Sequence, residues 1–201
     1  LTNIDLAIGQ IKSEIPNLDD NFSILFDMVN RNSKRINQLI TELLNATRFS
    51  ELNYQPILIN TLLDDALELA KDRIDLKQII VKKNYTIGMR TISCDKEKLT
   101  TALLNIIVNG VEAIEKKIGI LSINTREEDG KCVLEIIDNG VGIDEETQSK
   151  LFEPYFTTKQ KGNGLGLANT QNIILNHKAS IQVESVPGSG TSFIIRFDFA
   201  E

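Results

Sequence analysis

Residues 138–167 read DNGVGIDEETQSKLFEPYFTTKQKGNGLGL, and this stretch is the strongest indication of the fold. It holds two glycine clusters, at residues 138–142 and 162–166, and the second runs into a segment with helical spacing of apolar residues. Glycine lets the backbone adopt positive φ and approach a ligand closely, and a helix N-terminus presents unpaired N–H groups to an anion. The stretch therefore predicts a loop pocket for the phosphates of a nucleotide.

Asp138 ends a strand-like run, CVLEIID. Its carboxylate would repel phosphate, but it can accept a hydrogen bond from an exocyclic amine, and adenine supplies one. Either glycine cluster alone is equally compatible with a surface turn. Two clusters in this order, together with a polar helix stripe, favour the nucleotide pocket.

That polar stripe lies in residues 99–114, LTTALLNIIVNGVEAI, which predict a helix. Apolar residues recur at helical spacing, while Asn105, Asn109 and Glu112 fall at i, i+4 and i+7 on another face. Asparagine is a mediocre helix former, so two of them on an apolar helix suggest a ligand. Oxygen-rich side chains suit Mg²⁺, which combines a few protein oxygens with phosphates and water. The alternative is a solvated helix face.

Together these residues resemble the sequence boxes of sensor histidine kinases, in the expected order from about residue 95 to residue 199. Such a series is far more specific than any one motif. Gly110 departs from the family, in which alanine is common after the second asparagine. The boxes are the N box (Asn105, Asn109), the G1 box (Asp138, Gly140, Gly142), the F box (Phe152, Phe156), the G2 box (Gly162, Gly164, Leu165, Gly166, Leu167) and a last glycine box (Gly188, Ser189, Gly190, Thr191).

The resemblance implies an α+β fold in which residues 51–201 form an α/β sandwich, the ATP-binding domain of the GHKL or Bergerat type. It implies ATP and Mg²⁺ as cofactors, with Asn109 as the metal ligand. The two phenylalanines are expected to pack the base of a mobile lid, residues 153–163. The implied catalytic residues are Asn105, Asn109 and Lys159, and the implied nucleotide-binding residues are Asn109, Asp138, Gly140, Gly142, Phe156, Thr158, Lys159, Gly162, Gly164, Leu165, Gly166, Leu167 and Thr191.

Residues 1–50 carry two heptad-like apolar stripes joined by a turn near residues 16–20. A helical hairpin of this kind cannot bury its stripes alone, so we expect it to pair with a second copy as a homodimeric four-helix bundle. The alternative is a hairpin lying on the following domain. The stripes comprise Leu1, Ile4, Ile8, Ile11 and Ile15, then Phe22, Leu25, Val29, Asn32, Ile36, Leu39 and Leu43.

By resemblance, this hairpin is the dimerisation and phosphoacceptor domain of histidine kinases, which docks the receiver domain of a response regulator. The family's acceptor histidine would lie before Leu1, so we expect the chain to be a fragment that does not phosphorylate itself. His177 is the only histidine, and we expect it to be structural. The implied reaction is transfer of the ATP γ-phosphoryl group to the upstream histidine, and then to an aspartate of the response regulator.

Two other functions stay open. ATPases of the same fold, such as DNA gyrase, carry a glutamate four residues before the Mg²⁺-binding asparagine. Here that position is Asn105, and an amide cannot act as a general base. The second alternative is a non-catalytic regulatory dimer that binds nucleotide.

Composition narrows the partners. The net charge of −6 over 201 residues argues against a nucleic-acid partner, which would need clustered Lys and Arg. The absence of a membrane-spanning apolar run predicts a cytoplasmic domain, and the sequence leaves open whether the parent protein is anchored in a membrane. Cys94 and Cys132 lack CxxC spacing and are expected to be reduced core residues.

Periodicity predicts the remaining elements, with helices on one face of a mixed sheet. Strands are expected at residues 57–60, 79–85 and 90–94, the last two flanking a turn at Gly88. Hairpins are expected at 120–138, around Asp129-Gly130, and at 180–199. A helix is expected at residues 61–74, with Leu62, Leu63, Ala66, Leu69 and Ala70 facing inward.

Overall fold

The computed structural model describes residues 52–159 and 162–200, with scattered positions between residues 22 and 36. The chain divides into two compact units, Leu1–Phe49 and Ser50–Glu201. Within the described part of the chain, no helix has the length and apolar character needed to cross a bilayer.

In the first unit, the described positions are helical. Phe22, Leu25, Val29 and Ile36 of the predicted second stripe are 45% to 56% exposed in the single chain. Asn32 is also helical and exposed. The predicted first stripe, the turn that follows it, Leu39 and Leu43 lie outside the described residues, and the hairpin stays a prediction.

The second unit begins with a short strand and alternates helices with strands. Its elements in chain order are β1 (Tyr54–Ile57), α1 (Ile59–Leu76), β2 (Ile80–Asn84), β3 (Ile92–Asp95), α2 (Lys96–Ala113), β4 (Ile120–Glu128), β5 (Lys131–Asp138), α3 (Glu145–Lys150), α4 (Gly166–Asn176), β6 (Ser180–Val186) and β7 (Gly190–Asp198).

Five strands form the main sheet, in the order β2-β4-β5-β7-β6. β2 runs parallel to β4, and the other neighbours are antiparallel, so the predicted mixed sheet is confirmed. Both predicted hairpins are also confirmed. Asp129 and Gly130 have φ of 52° and 74°, the paired positive values that suit a two-residue hairpin turn. The strands on either side of Gly88 belong to different sheets, because β3 pairs with β1.

Three local predictions were wrong or incomplete. The first strand lies at Tyr54–Ile57 and not at residues 57–60, because the helix α1 already begins at Ile59. The strand includes Pro56, and a two-stranded sheet tolerates a residue that cannot donate. On α1, Leu67 is buried, whereas Leu69 is 66% exposed. The short helix α3 was not predicted, and it begins where the Asp144 carboxylate accepts from Thr147 N at 2.8 Å.

The core lies between the main sheet and the helices, with α2 in the middle, in contact with α1 and α4. Alternate residues of β5 enter it, because side chains of a strand alternate between faces. Residues three or four apart on α2 do the same. The core members that these two elements contribute include Cys132, Leu134, Ile136, Leu99, Leu103, Ile106 and Ile107.

The C-terminal end of α2 is capped by a lysine from another element. Lys77, which follows α1, donates from Nζ to the carbonyl oxygens of Val111, Glu112 and Ile114 at 3.0, 2.9 and 3.0 Å. The last carbonyls of a helix have no partners within it, and they carry the negative end of its dipole. Lys77 therefore supplies both hydrogen bonds and charge to the last turn of α2.

We expect Lys77→Met to lower stability by about 1 kcal/mol, because these carbonyls lose a cationic donor at a solvent-accessible site. For a domain of this size, that corresponds to a fall of roughly 3 °C in the midpoint of thermal unfolding. Lys82→Met, at an exposed position on β2, is the matched control. Equal midpoints for the two variants would contradict the capping role.

Candidate functional site

Asp138 closes β5 as a buried carboxylate, only 5% exposed. Its Oδ1 accepts from the backbone N–H of Gly140 at 2.7 Å, and the residue is paired across the ladder with Thr191. α2 approaches it closely at Gly110, where an added Cβ would lie 3.3 Å from the Asp138 Cβ. Because residue 110 is glycine, where the family commonly has alanine, the backbone of α2 lies directly against the end of β5.

Burial raises the pKa of Asp138 above its ordinary value, although hydrogen bonds from the N–H groups of Gly140 and Thr191 and the charge of Lys116 act in the opposite direction. These two N–H groups occupy only part of the capacity of a carboxylate, whose two oxygens offer about four lone-pair sites. The structure therefore provides a buried acceptor suited to an amine such as that of adenine.

The first glycine cluster forms a loop wedged between α2 and β6. Gly142 has φ of 71°, and a Cβ on it would collide with the carbonyl oxygen of Val186. A Cβ on Gly140 would lie 2.5 Å from the carbonyl oxygen of Ala113. The loop backbone is also held at Val141, whose N–H donates to Ala113 O at 3.0 Å. Glycine is required here because the loop touches backbone on both sides.

Ser185, which the sequence did not single out, organises the neighbourhood of Thr191. Its Oγ accepts from Ile143 N at 2.8 Å, donates to Gly190 O at 2.9 Å, and lies 3.0 Å from Thr191 Oγ1. Because the serine hydroxyl has a single proton, Thr191 must donate to it, which leaves the Thr191 oxygen as an acceptor. Only the register between β6 and β7 brings these residues together.

The polar residues of the α2 stripe make two separate sets of contacts, one with α4 and one with Lys159. Asn105 donates from Nδ2 to Thr170 Oγ1 of α4 at 2.9 Å, and its amide also lies against Gly166. Asn109 accepts at Oδ1 from Lys159 Nζ at 2.7 Å, and Glu112 Oε2 lies 2.6 Å from the same nitrogen. Asn105 thus joins α2 to α4, and Asn109 and Glu112 together hold a cation.

The second glycine cluster leads into α4. Gly164 has φ of 67°, a Cβ on it would collide with the backbone of Tyr155, and its carbonyl accepts from Tyr155 N at 2.9 Å. Leu165, buried at the start of α4, makes no side-chain capping hydrogen bond. The first N–H groups of α4 therefore rely on a partner other than a capping side chain.

The other predicted nucleotide-binding residues lie around this cluster. Phe152 and Leu167 are half-buried and pack against the core, Phe156 is also half-buried, and Thr158 is exposed. Gly162 is half-buried, and its N–H donates to Lys159 O at 3.1 Å. The nucleotide-contacting roles of Phe156, Thr158, Gly162 and Leu167 stay predictions, as does the expected place of Phe152 at the base of a lid.

His177 is held from both sides of its ring at the end of α4. Nδ1 lies 2.7 Å from Ile173 O, and Nε2 accepts from Asp95 N at 3.0 Å. A carbonyl requires a proton on Nδ1, and a backbone N–H requires a lone pair on Nε2, so the ring is the neutral Nδ1–H tautomer. Being 7% exposed with both nitrogens engaged, His177 is a structural residue.

The residues present fit a divalent cation bound together with phosphate. The ammonium of Lys159 is a stand-in cation, and it is held by one amide oxygen and one carboxylate oxygen, the hard ligands that Mg²⁺ prefers. Among the described residues, no group of three or more His, Cys, Asp or Glu side chains could hold a metal ion. A metal here would need oxygens from a ligand to complete its coordination.

Comparison with known proteins decides the family. The profile described as histidine kinase-, DNA gyrase B- and HSP90-like ATPase matches residues 94–201, more than half of the chain. The chain belongs to this ATPase family.

Two relatives within the family are sensor histidine kinases from Escherichia coli. ZraS of strain O157:H7 is 32% identical over 171 residues, 85% of this chain and 37% of ZraS. AtoS of strain K12 is 37% identical over 161 residues, 80% of this chain and 26% of AtoS.

Solved structures of the ATPase family agree with the fold. The nucleotide-free catalytic domain of histidine kinase ThkA has a TM-score of 0.66 at 25% identity, covering 74% of this chain and 97% of that one. ThkA in complex with the response regulator protein TrrA has a TM-score of 0.71 at 22% identity, covering 99% and 58%, a likeness of fold alone. The α/β sandwich and the family resemblance predicted from sequence are confirmed, while the chain spans only 26% to 37% of these curated relatives.

We expect Gly142→Ala to abolish ADP binding, because the added Cβ overlaps Val186 backbone and expels the loop. Gly88→Ala is the matched control: φ is 76° there, and nothing lies within 4 Å of the added Cβ. Both variants incur the left-handed cost of about 1–2 kcal/mol, but only Gly142→Ala adds a collision. Calorimetric titration with ADP measures the difference, and binding by Gly142→Ala at wild-type affinity would contradict the close approach.

We expect Asp138→Asn to raise the thermal unfolding midpoint at neutral pH, measured without nucleotide. A carboxyl whose folded pKa is raised takes up its proton at a higher pH in the folded protein than in the unfolded chain, so the ionised group destabilises the fold. This penalty disappears as pH falls through the raised pKa, and the gap between variant and wild type should narrow.

Asp144 provides a control for which the change in the unfolding midpoint should have the opposite sign. The Thr147 N–H and hydroxyl hold the pKa of Asp144 below its ordinary value, so its carboxylate stabilises the fold above the ordinary pKa. Asp144→Ala should lower the midpoint at neutral pH, and its loss should shrink in acid. An Asp138→Asn protein less stable than wild type at neutral pH would refute the burial penalty.

Proposed function

We infer that this chain is the ATP-binding kinase core of a sensor histidine kinase, which transfers the γ-phosphoryl group of ATP to a histidine nitrogen. One observation carries the proposal. Two neighbouring residues of α2 bring two groups together: Asn109 accepts from the Lys159 ammonium, and Gly110 packs against the buried acceptor Asp138. A ligand with an amine at one end and a metal-bound polyphosphate at the other matches this arrangement.

The roles follow from that geometry. Asp138 accepts a hydrogen bond from the adenine amine, and Thr191 offers a second acceptor beside it. The N–H groups at the start of α4 and the ammonium of Lys159 bind phosphates, and Asn109 supplies an oxygen to Mg²⁺. When bound, Mg²⁺ neutralises charge on the phosphates. Phosphoryl transfer needs positioning and charge neutralisation more than covalent chemistry, so these residues suffice on the nucleotide side.

The acceptor histidine is supplied from outside these 201 residues. His177 is the only histidine in the sequence, and both of its ring nitrogens are engaged in hydrogen bonds. A nitrogen that already accepts from Asp95 N–H has no lone pair to attack a phosphorus atom. The chain by itself is therefore a phosphoryl donor module.

Hydrolysis of ATP is the competing function, and the position of Asn105 argues against it. A hydrolytic enzyme of this fold would need a base there to activate water, whereas Asn105 is an amide whose nitrogen donates to Thr170. An amide cannot take a proton from water at neutral pH.

We further propose that the first unit forms a homodimer and docks the receiver domain of a response regulator, to which the phosphate passes. The exposed apolar side chains at helical positions between residues 22 and 36 support the first part. The relative ThkA, whose structure with the response regulator protein TrrA shares this fold, supports the second.

Calorimetric titration of ADP and a non-hydrolysable ATP analogue, with and without Mg²⁺, tests the pocket. We expect Asn109→Ala to lose the Mg²⁺ dependence of the affinity. Asp138→Asn should weaken binding by about thirtyfold, the equivalent of roughly 2 kcal/mol for a buried hydrogen bond to a charged group. Glu97→Gln, an exposed charge change at the far end of α2, is the control. Absence of binding in the wild-type chain would overturn the proposal.

Incubation with ATP labelled at the γ position separates the alternatives. We expect no label on the chain itself and phosphate release at the background rate. Stable phosphohistidine on His177 would contradict the external acceptor. Steady release of inorganic phosphate would favour the ATPase. Mg²⁺-ATP binding without transfer to the parent kinase's acceptor helix would leave the non-catalytic regulatory dimer.

A further inference from the structure

Asn109 Oδ1 and Glu112 Oε2 form a pair of oxygens on one face of α2, here called the cation seat. The two residues are three apart in the helix and so lie side by side. The seat is occupied by the ammonium of Lys159, at 2.7 Å from the amide oxygen and 2.6 Å from the carboxylate. The occupant is a side chain of the segment between α3 and α4.

We propose that the cation seat is shared in turn by two cations: Lys159 without nucleotide, and Mg²⁺ with it. In the exchange, Glu112 contributes the carboxylate that Mg²⁺ binds, directly or through water, and Lys159 moves from the seat to the phosphates. This inference rests on the nucleotide site proposed above. It gives Glu112 a role in metal binding and gives Lys159 a second position.

The chemistry of the seat supports a role for both cations. An amide and a carboxylate oxygen are ligands that Mg²⁺ accepts alongside phosphate oxygens. An ammonium is a compact point charge on a long flexible stem, so it can occupy the same place without fixed geometry. Lys159 and Glu112 are 44% and 43% exposed, and an ion pair that exposed contributes little to stability. Leaving the seat therefore costs Lys159 little.

The phosphates are expected within reach of the seat. Gly166, the first residue of α4, lies against the amide of Asn105, since an added Cβ would lie 2.9 Å from its Oδ1. Asn105 precedes Asn109 by four residues, slightly more than one helical turn and about 6 Å along the axis. A phosphate chain bound at the start of α4 is thus about one turn away from the seat, a distance that a lysine side chain spans.

The charge balance explains why the exchange is coupled to nucleotide. Without ligand, Lys159 neutralises Glu112. Polyphosphate brings several negative charges beside that carboxylate, which repels them unless a cation lies between. With Mg²⁺ on the seat, Lys159 is released to neutralise phosphate, so each anionic group has a cationic partner.

The test is the Mg²⁺ enhancement of ADP binding, defined as the Kd in a chelator divided by the Kd in saturating Mg²⁺. Glu112→Gln should lower the enhancement about tenfold: the metal loses a carboxylate, and metal-free ADP binds more tightly because repulsion is removed. Lys159→Met should raise the Kd in the chelator, because metal-free ADP faces an uncompensated Glu112, and it should also raise the Kd in Mg²⁺, because the phosphates lose the ammonium. In the chelator, the two variants thus move the Kd in opposite directions.

Glu115→Gln and Lys117→Met, at nearby exposed positions, control for the general change in charge. Thermal unfolding confirms that all four variants are folded. A Kd in the chelator that changes in the same direction for Glu112→Gln and Lys159→Met, or changes no larger than those of the controls, would overturn the exchange. Wild-type ADP affinity that does not respond to Mg²⁺ would instead refute the proposed function, so the two failures are distinguishable.

Discussion

The structure depends on how closely α2 approaches the end of β5. At Gly110 the helix backbone lies against Asp138, with no side chain between them, so a buried carboxylate lies beside the polar stripe of the helix. Other contacts maintain this approach: Lys77 caps the last turn of α2, and Val141 N–H holds the carbonyl of Ala113. A larger side chain at Gly110 would push the helix away from the strand, and the cation-binding residues of α2 would then move away from Asp138.

The site also lowers the stability of the fold, and the residues responsible are those with functional chemistry. Asp138 is a buried carboxyl whose pKa is raised, and α4 starts without a capping side chain. Each of these features is unfavourable in a free protein and favourable when a ligand supplies the missing partner. This pattern is the physical signature expected of a nucleotide site.

Much of this was predictable from sequence. The glycine clusters, the α2 stripe and the hairpins follow from local spacing, because period and turn chemistry act over a few residues. Besides the three local errors in the fold, the sequence missed contacts between distant residues. Nothing local marks Ser185 as the partner of Thr191, Thr170 as the partner of Asn105, or Lys77 as the cap of α2. The stripe was predicted as one unit, yet tertiary packing assigns Asn105 to the joint with α4 and leaves Asn109 and Glu112 to hold a cation.

The joint between α2 and α4 has a mechanical consequence. The helices are pinned at two points, by His177 to the backbone of Asp95 before α2 and by Asn105 to Thr170 in mid-helix. Two helices that are joined at two points can rotate relative to each other only about the line through those points. Here that line runs along the helix pair. Such rotation scarcely changes the separation of Gly166 from Asn109. The start of α4 is thus held at a fixed distance from Asn109, so the proposed phosphate-binding end of the site is set before a ligand binds.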